Sequence, residues 1–175
     1  MIYNSYPFPW KHYIIEDVLQ QEDFEKIKNL EINDADYDQI TGFRDVIKGR
    51  TFLNNELIEK EPSLLQAAQW LNRRDYYEDC FKTDLSNTFM RAEIIHDRYP
   101  FFHDVHLDLP CKNLTIILNI DKEDDKNLAT DLYHTKNIHV KKLDWVPNGG
   151  IAFKITQNAW HGFAPTEYKG IRKIM

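Results

Sequence analysis

The tripeptide His106-Leu107-Asp108 places an imidazole and a carboxylate two positions apart. On a β-strand, side chains two apart point to the same face, so both groups would lie on one side of the strand. Such a pair either ligates a metal ion or forms a structural hydrogen bond. With 28 acidic residues and seven histidines in 175 residues, this spacing is expected about once by chance. The pair therefore needs support from the rest of the chain.

The elements that would position the pair belong to a folded chain of one domain's length. Its 175 residues are 42% hydrophobic and 13% aromatic, which excludes a disordered acidic protein. The net charge of -6 argues against a dedicated nucleic-acid-binding protein, which would need a basic face. We therefore expect a single domain over residues 1–175, a small-molecule or peptide substrate, and no nucleic-acid partner.

Nothing in the sequence predicts a membrane or secretory protein. The longest apolar runs, such as Gly149–Phe153, are far shorter than the roughly 18 residues of a transmembrane span. The first residues lack the layout of a signal peptide. Cys80 and Cys111 are too few for a disulfide framework and belong to no CxxC motif. We expect a cytoplasmic protein with no membrane partner.

Residues 1–88 are interpreted as helical support with flanking strands. Phe24, Ile27 and Leu30 share one helical face, and Pro62 is favourable at a helix start. The predicted elements are a strand at Tyr13–Ile15, a helix over Gln21–Leu30, a loop over Ala35–Asn55 with a strand near Thr51–Leu53, and a helix from Pro62 towards Arg73.

Residues 89–175 are interpreted as a β-rich core. Short apolar stretches alternate with polar turns, which is typical of a sandwich or barrel. The predicted strands are Phe89–Ile95, Val105–Leu109, Leu114–Ile120, Leu128–Tyr133, Ile138–Leu143 and Gly150–Ile155. We predict a mainly β fold with supporting α-helices, built on a double-stranded β-helix of the jelly-roll, cupin-like type.

Several further segments follow His106 in a recognisable order. They are a Thr-containing strand, Leu114–Asn119, a turn and strand, Asn148–Phe153, the sequence Trp160-His161-Gly162-Phe163, and Arg172 eleven residues after His161. From Arg91 to Met175, the chain resembles the iron(II)- and 2-oxoglutarate-dependent oxygenases. The resemblance is to the branch that includes prolyl hydroxylase-like and phage or bacterial relatives.

The resemblance implies a metal centre. His106, Asp108 and His161 would be both the catalytic residues and the ligands of Fe(II), with His106 and Asp108 on one strand and His161 across the barrel mouth. Two imidazoles and one carboxylate leave three positions open for a chelating oxoacid and O2. Without the downstream matches, His106 and Asp108 would instead be read as a structural pair.

The same resemblance implies a cosubstrate site. Arg172, on a last strand beside that of His161, would hold the distal carboxylate of 2-oxoglutarate through two parallel hydrogen bonds. Asn119 and Thr115 would be secondary contacts to the same carboxylate. Arg91 would contact the substrate or the cosubstrate, or else form an ion pair at the sheet edge.

These features together predict a 2-oxoglutarate-dependent dioxygenase that hydroxylates a C–H bond and converts 2-oxoglutarate to succinate. Two alternatives remain open at this stage. One is a non-catalytic jelly-roll binding module with a vestigial metal site. The other is a cupin-like metalloenzyme without 2-oxoglutarate, in which Arg172 would have no role.

Overall fold

The computed structural model describes residues 2–30, 50–53, 69, 73–121 and 126–175. These residues form a mainly β structure of two antiparallel sheets with two short helices. The helices are α1 (Gln21–Lys28) and α2 (Arg74–Phe81), and Lys126–Leu128 forms a 3-10 turn. The strands are β1 (Ile2–Tyr6), β2 (His12–Glu16), β3 (Arg50–Leu53), β4 (Ile94–Arg98), β5 (His103–His106), β6 (Leu114–Asn119), β7 (Asp131–Thr135), β8 (Ile138–Lys142), β9 (Gly149–Lys154), β10 (His161–Phe163) and β11 (Ile171–Ile174).

The two sheets differ in size and draw on both halves of the sequence. The larger sheet has the order β1-β2-β9-β6-β11-β4-β3, and the smaller has the order β5-β10-β7-β8. Strands from residues 1–88 thus extend the larger sheet at both edges. The strand order also places His106 and His161 on neighbouring strands of the smaller sheet.

Alternation along the strands divides the buried apolar residues into two cores. In β9, Ile151 and Phe153 point into a core shared with the smaller sheet, which includes Leu132 and Phe163. Ala152 points the other way, into a core that contains residues of both helices. One face of the larger sheet therefore packs on the helices, and the other packs on the smaller sheet.

Helix α1 forms as the sequence predicts, although it ends at Lys28. Phe24 and Ile27 are buried against the larger sheet, and Leu30 packs beside them beyond the helix end. Acidic residues lie in the first turn and lysines in the last. These charges stabilise the helix through their interaction with its dipole. Neither described helix has the length and apolar character needed to cross a membrane.

The mainly β class with supporting helices is confirmed, and most predicted strands appear with small changes at their ends. Three predicted boundaries are wrong, since β4 begins only at Ile94, β5 ends at His106, and β7 begins at Asp131. Strand β1 and helix α2 were not predicted. Of the helix predicted from Pro62, only Gln69 is described, and it is helical. Residues 35–49, 54 and 55 of the predicted loop lie outside the described part of the chain.

Candidate metal centre

The pairing of β5 with β10 brings two histidines together. His161 lies directly opposite His106 in this antiparallel pair, and their ring centroids are 4.3 Å apart. The expectation that His161 would approach from a facing sheet across the barrel mouth is therefore wrong. Cross-strand neighbours have closely spaced side chains, so the register itself sets the distance between the two imidazoles.

Hydrogen bonds to the backbone fix which ring nitrogen of each histidine carries the proton. Nδ1 of His106 lies 2.7 Å from the carbonyl oxygen of Asp104, and Nδ1 of His161 lies 2.9 Å from that of Ala159. A carbonyl oxygen only accepts, so both Nδ1 atoms donate and both Nε2 atoms keep a lone pair. Metal-binding histidines are commonly held in this way.

Asp108 follows the end of β5, so the predicted strand over Val105–Leu109 does not position it. Its carboxylate is held by two donors instead, Lys112 Nζ at 2.6 Å from Oδ1 and Thr115 Oγ1 at 2.7 Å from Oδ2. Oδ2 lies 4.0 Å from Nε2 of His161. Burial acts to raise the pKa of the Asp108 carboxyl, but the hydrogen bonds from Lys112 and Thr115 outweigh it and leave the pKa below its ordinary value.

One ligand atom from each of His106, Asp108 and His161 lies within 4.8 Å of the others. Burial, reinforced by the neighbouring His106 imidazole, lowers the pKa of His161 to about 4. Near neutral pH this site therefore presents a neutral His161 and an ionised carboxylate, the forms that bind metals. Two nitrogens and one oxygen suit a divalent transition metal, so the residues fit such an ion.

Two aromatic residues, Phe153 and Trp10, support the position of His161. The Phe153 ring contacts the His161 ring edge to face at a centroid distance of 4.9 Å, and Trp10 packs on Phe153 at 5.0 Å. The Trp10 Nε1 group donates to the carbonyl oxygens of Tyr133 and Trp160. Because Trp160 immediately precedes His161, Trp10 fixes the backbone at the start of β10.

Arg172 is buried, but its strand is not where we predicted. Strand β11 lies between β6 and β4 in the larger sheet, so Arg172 faces β10 from the other sheet. Its guanidinium lies over the Phe163 ring at 4.2 Å. Nε donates to the carbonyl of Leu128 at 2.6 Å, and Nη1 donates to Asp97 at 2.7 Å.

The ion pair of Arg172 with Asp97 is almost fully buried, with side-chain exposures of 4% and 2%. A small cleft lies beside it, lined in addition by Phe101, Thr166 and Tyr168. The role of Asp97 could not be predicted from the sequence, because its partner is 75 residues away.

The structure places the other predicted site residues as follows. Thr115 donates to Asp108, and Asn119 donates to the carbonyl of Val146 at 3.2 Å. Arg91 precedes β4, is exposed, and pairs with Glu93 at 2.6 Å, which corresponds to the ion-pair interpretation of this residue.

The sequence predicts no role for His103. Its ring centroid lies 4.1 Å from that of His106. The two histidines are three positions apart, a spacing that on a strand does not place side chains on the same face. The row of rings His103, His106 and His161 therefore became visible only in the folded chain.

Comparison with known proteins adds no family. No protein-family model matches the chain, and no curated protein matches it significantly. The case for a function therefore depends on the arrangement of the residues themselves.

Proposed function

We propose that this protein is an Fe(II)- and 2-oxoglutarate-dependent dioxygenase that hydroxylates a C–H bond of a small-molecule or peptide substrate. The observation that carries the proposal is the convergence of His106, Asp108 and His161 within 4.8 Å. The backbone hydrogen bonds to both Nδ1 atoms leave each Nε2 available to an ion. A structural His–Asp pair would not need a second imidazole held in the same way.

A jelly-roll core is part of the proposal, and the strand order supports it. Strands β4 to β11 occupy the positions β9-β6-β11-β4 of one sheet and β5-β10-β7-β8 of the other. Apart from the β7–β8 hairpin, successive strands alternate between the sheets, as expected of two Greek keys in a double sheet. His106 and His161 lie on the smaller sheet, Asp108 follows the end of β5, and Arg172 lies on the larger sheet facing them.

In this proposal His106, Asp108 and His161 hold Fe(II). When bound, the iron and 2-oxoglutarate together supply an O2-dependent oxidation that releases succinate and CO2. The chain binds and orients these groups, and its buried aromatic residues keep water from the reacting atoms. His161, at 4% exposure, is the best shielded of the three ligands.

Arg172 is proposed to bind the distal carboxylate of 2-oxoglutarate at the small cleft beside its guanidinium group. A guanidinium has five N–H donors, which is enough to serve Leu128, Asp97 and a ligand carboxylate. The Phe163 ring beneath the guanidinium holds its plane in place. Asn119 and Thr115 serve the scaffold in this arrangement, since their hydrogen bonds go to Val146 and Asp108.

The test separates metal binding, cosubstrate binding and turnover. Co(II) binding is followed by its absorption spectrum, 2-oxoglutarate binding by calorimetry on the metal-loaded protein, and turnover by succinate formed with Fe(II) and O2. We expect His106→Ala to lose all three activities and His134→Ala, an exposed histidine of β7, to keep them. Failure of the parent protein to bind Co(II), or a His106→Ala variant identical to it, would refute the proposal.

A second candidate is a cupin-like metalloenzyme that does not use 2-oxoglutarate. The buried pairing of Arg172 with Asp97 favours it, because the charge that would attract a carboxylate is already compensated. Arg172→Lys distinguishes the two, since lysine keeps the charge but loses the planar pair of donors. For the dioxygenase, 2-oxoglutarate affinity falls at least about tenfold while Co(II) affinity is unchanged. Metal binding without any 2-oxoglutarate binding by the parent protein would favour the second candidate over the dioxygenase.

A further inference from the structure

Each carboxylate oxygen of Asp108 has its own donor, and the two oxygens face different surroundings. Oδ1 accepts from Lys112 Nζ at 2.6 Å, whereas Oδ2 accepts from Thr115 Oγ1 at 2.7 Å. Oδ2 lies 4.0 Å from Nε2 of His161. The carboxylate is thus held with one oxygen beside the candidate metal centre and the other bound to an ammonium group.

We propose that Lys112 and Thr115 are positioning residues that make Asp108 a one-oxygen metal ligand, through Oδ2. This inference rests on the metal centre of the proposed function. An ionised carboxylate oxygen has two lone pairs, so Oδ2 can accept from Thr115 and still bind a cation. Oδ1 is bound by the Lys112 ammonium group, whose positive charge opposes the approach of a second cation to that oxygen.

The difference between one and two oxygen bonds decides how many coordination positions stay open. Two imidazoles and one carboxylate oxygen leave three positions of an octahedral ion, which a chelating oxoacid and O2 together fill. If Asp108 bound through both oxygens, only two positions would remain. Lys112 therefore preserves the position that O2 needs.

The chain builds this arrangement into elements that have little freedom. Thr115 lies in β6, which is paired with β9 along its whole length. Lys112 lies in a turn closed by the backbone hydrogen bond from its own N–H to the carbonyl of Leu109, at 3.0 Å. A group on a paired strand, such as Thr115, positions a ligand well, and the turn limits where the backbone of Lys112 can lie.

The pair of Lys112 with Asp108 also differs from an ordinary surface ion pair. The Asp108 side chain is only 10% exposed and that of Lys112 is 44% exposed. By comparison, Lys82 and Asp79 form a pair of similar length with exposures of 74% and 82%. Exposed pairs of that kind contribute little to stability, so Lys82→Met is a suitable control for Lys112→Met.

The positioning role proposed for Thr115 is tested by measuring Co(II) affinity. Thr115→Val keeps the shape of the side chain but removes the donor to Oδ2, and we expect Co(II) affinity to fall about 10- to 100-fold. Thr115→Ser restores the hydroxyl and should restore most of the affinity. Thr135→Val, at an exposed threonine of β7, is the control. Thermal unfolding of every metal-free variant shows whether it is folded.

The positioning role proposed for Lys112 is tested by measuring, with a neutral probe, whether a coordination position of the metal ion stays open. Fe(II)-loaded protein is mixed anaerobically with oxalate, which takes two positions, and then with nitric oxide, whose iron complex gives a characteristic paramagnetic resonance signal. We expect nitric oxide affinity to fall at least about tenfold in Lys112→Met. It should be retained in Lys112→Arg and in the control Lys82→Met.

Two results would overturn the inference while leaving the proposed function intact. One is a Thr115→Val protein whose Co(II) affinity lies within about threefold of the parent's. The other is a Lys112→Met protein that binds nitric oxide as the parent does. If the parent itself binds no Co(II), the proposed function fails, which is a different outcome.

Discussion

His96 should make the stability of this protein fall as the solution becomes acidic. Its side chain is 1% exposed, and neither ring nitrogen has a hydrogen-bond partner among the described residues. Burial, together with the nearby Lys173 ammonium and against the opposing effect of Asp97, lowers the pKa of His96 to about 4. Lys173 is its direct cross-strand neighbour on β11.

The sign of the effect follows from which state binds the proton. The unfolded chain takes up a proton at His96 near its ordinary pKa of 6.5, whereas the folded chain does so only near 4. The folded state is therefore not penalised by His96 above about pH 6.5. As the pH falls from there towards about 4, proton uptake by the unfolded chain lowers the free energy of unfolding. At about 1.4 kcal/mol per pH unit, the free energy of unfolding should fall by about 2 to 3 kcal/mol between about pH 7.5 and pH 4.5 from this group alone.

The assay is urea unfolding at both pH values, for the parent and for His96→Leu. All other titrating groups are common to the two proteins, so the difference between their pH dependences isolates His96. We expect His96→Leu to lose about 2 to 3 kcal/mol less than the parent on acidification. It should also be no less stable near neutral pH, because it removes two buried polar atoms that lack partners.

His134→Leu is the matched control, since His134 is an exposed histidine of β7. It should show the same pH dependence as the parent. The reasoning is refuted if His96→Leu and the parent lose the same free energy on acidification to within about 0.5 kcal/mol.

Three further predictions concern the scaffold of the site. Asp97→Ala removes the carboxylate that pairs with the buried Arg172, and it should lower the unfolding free energy by about 3–5 kcal/mol in urea titrations. The control Glu93→Ala breaks the exposed pair with Arg91 and should cost under about 1 kcal/mol. Phe153→Ala empties a fully buried ring site and should cost about 3–5 kcal/mol, whereas Phe8→Ala, at a ring 60% exposed, should cost far less by the same assay. Gly150→Ala would place a Cβ 2.0 Å from the carbonyl oxygen of Ile117 at a φ of +156°. It should cost at least about 2 kcal/mol in thermal unfolding. In the control Gly170→Ala the new Cβ meets the movable side chain of Tyr168, and an equal loss of stability there would contradict the argument.

Local sequence patterns were enough to predict that the second half is β-rich but not where every strand ends. Strand β4 covers Ile94–Arg98 because these residues pair with β3 and β11. Both partners are distant in the sequence, so the alternation around Phe89–Ile95 could not reveal the boundary. The same holds for β5, which ends at His106 where its pairing with β10 ends.

The candidate metal ligands could be named from the sequence only through the order of several motifs. His106, Asp108 and His161 are brought together in the fold, and their role as ligands remains a prediction. The supporting residues gave no such signal. Asp97 meets Arg172 across 75 residues, and Trp10 reaches Trp160 across 150 residues, so these contacts exist only once both sheets have formed.

The structure explains how two separate segments of the chain bring the three candidate ligands together. The register of β5 with β10 sets His106 against His161, and in both residues Nδ1 bonds the carbonyl oxygen two positions earlier in the chain. The same local device therefore turns both rings so that Nε2 is left for a ligand. Asp108 has no strand to direct it, and the chain compensates with side-chain donors on both of its oxygens. Because each candidate ligand is already oriented by a neighbouring group, little ordering entropy would oppose the binding of an ion there.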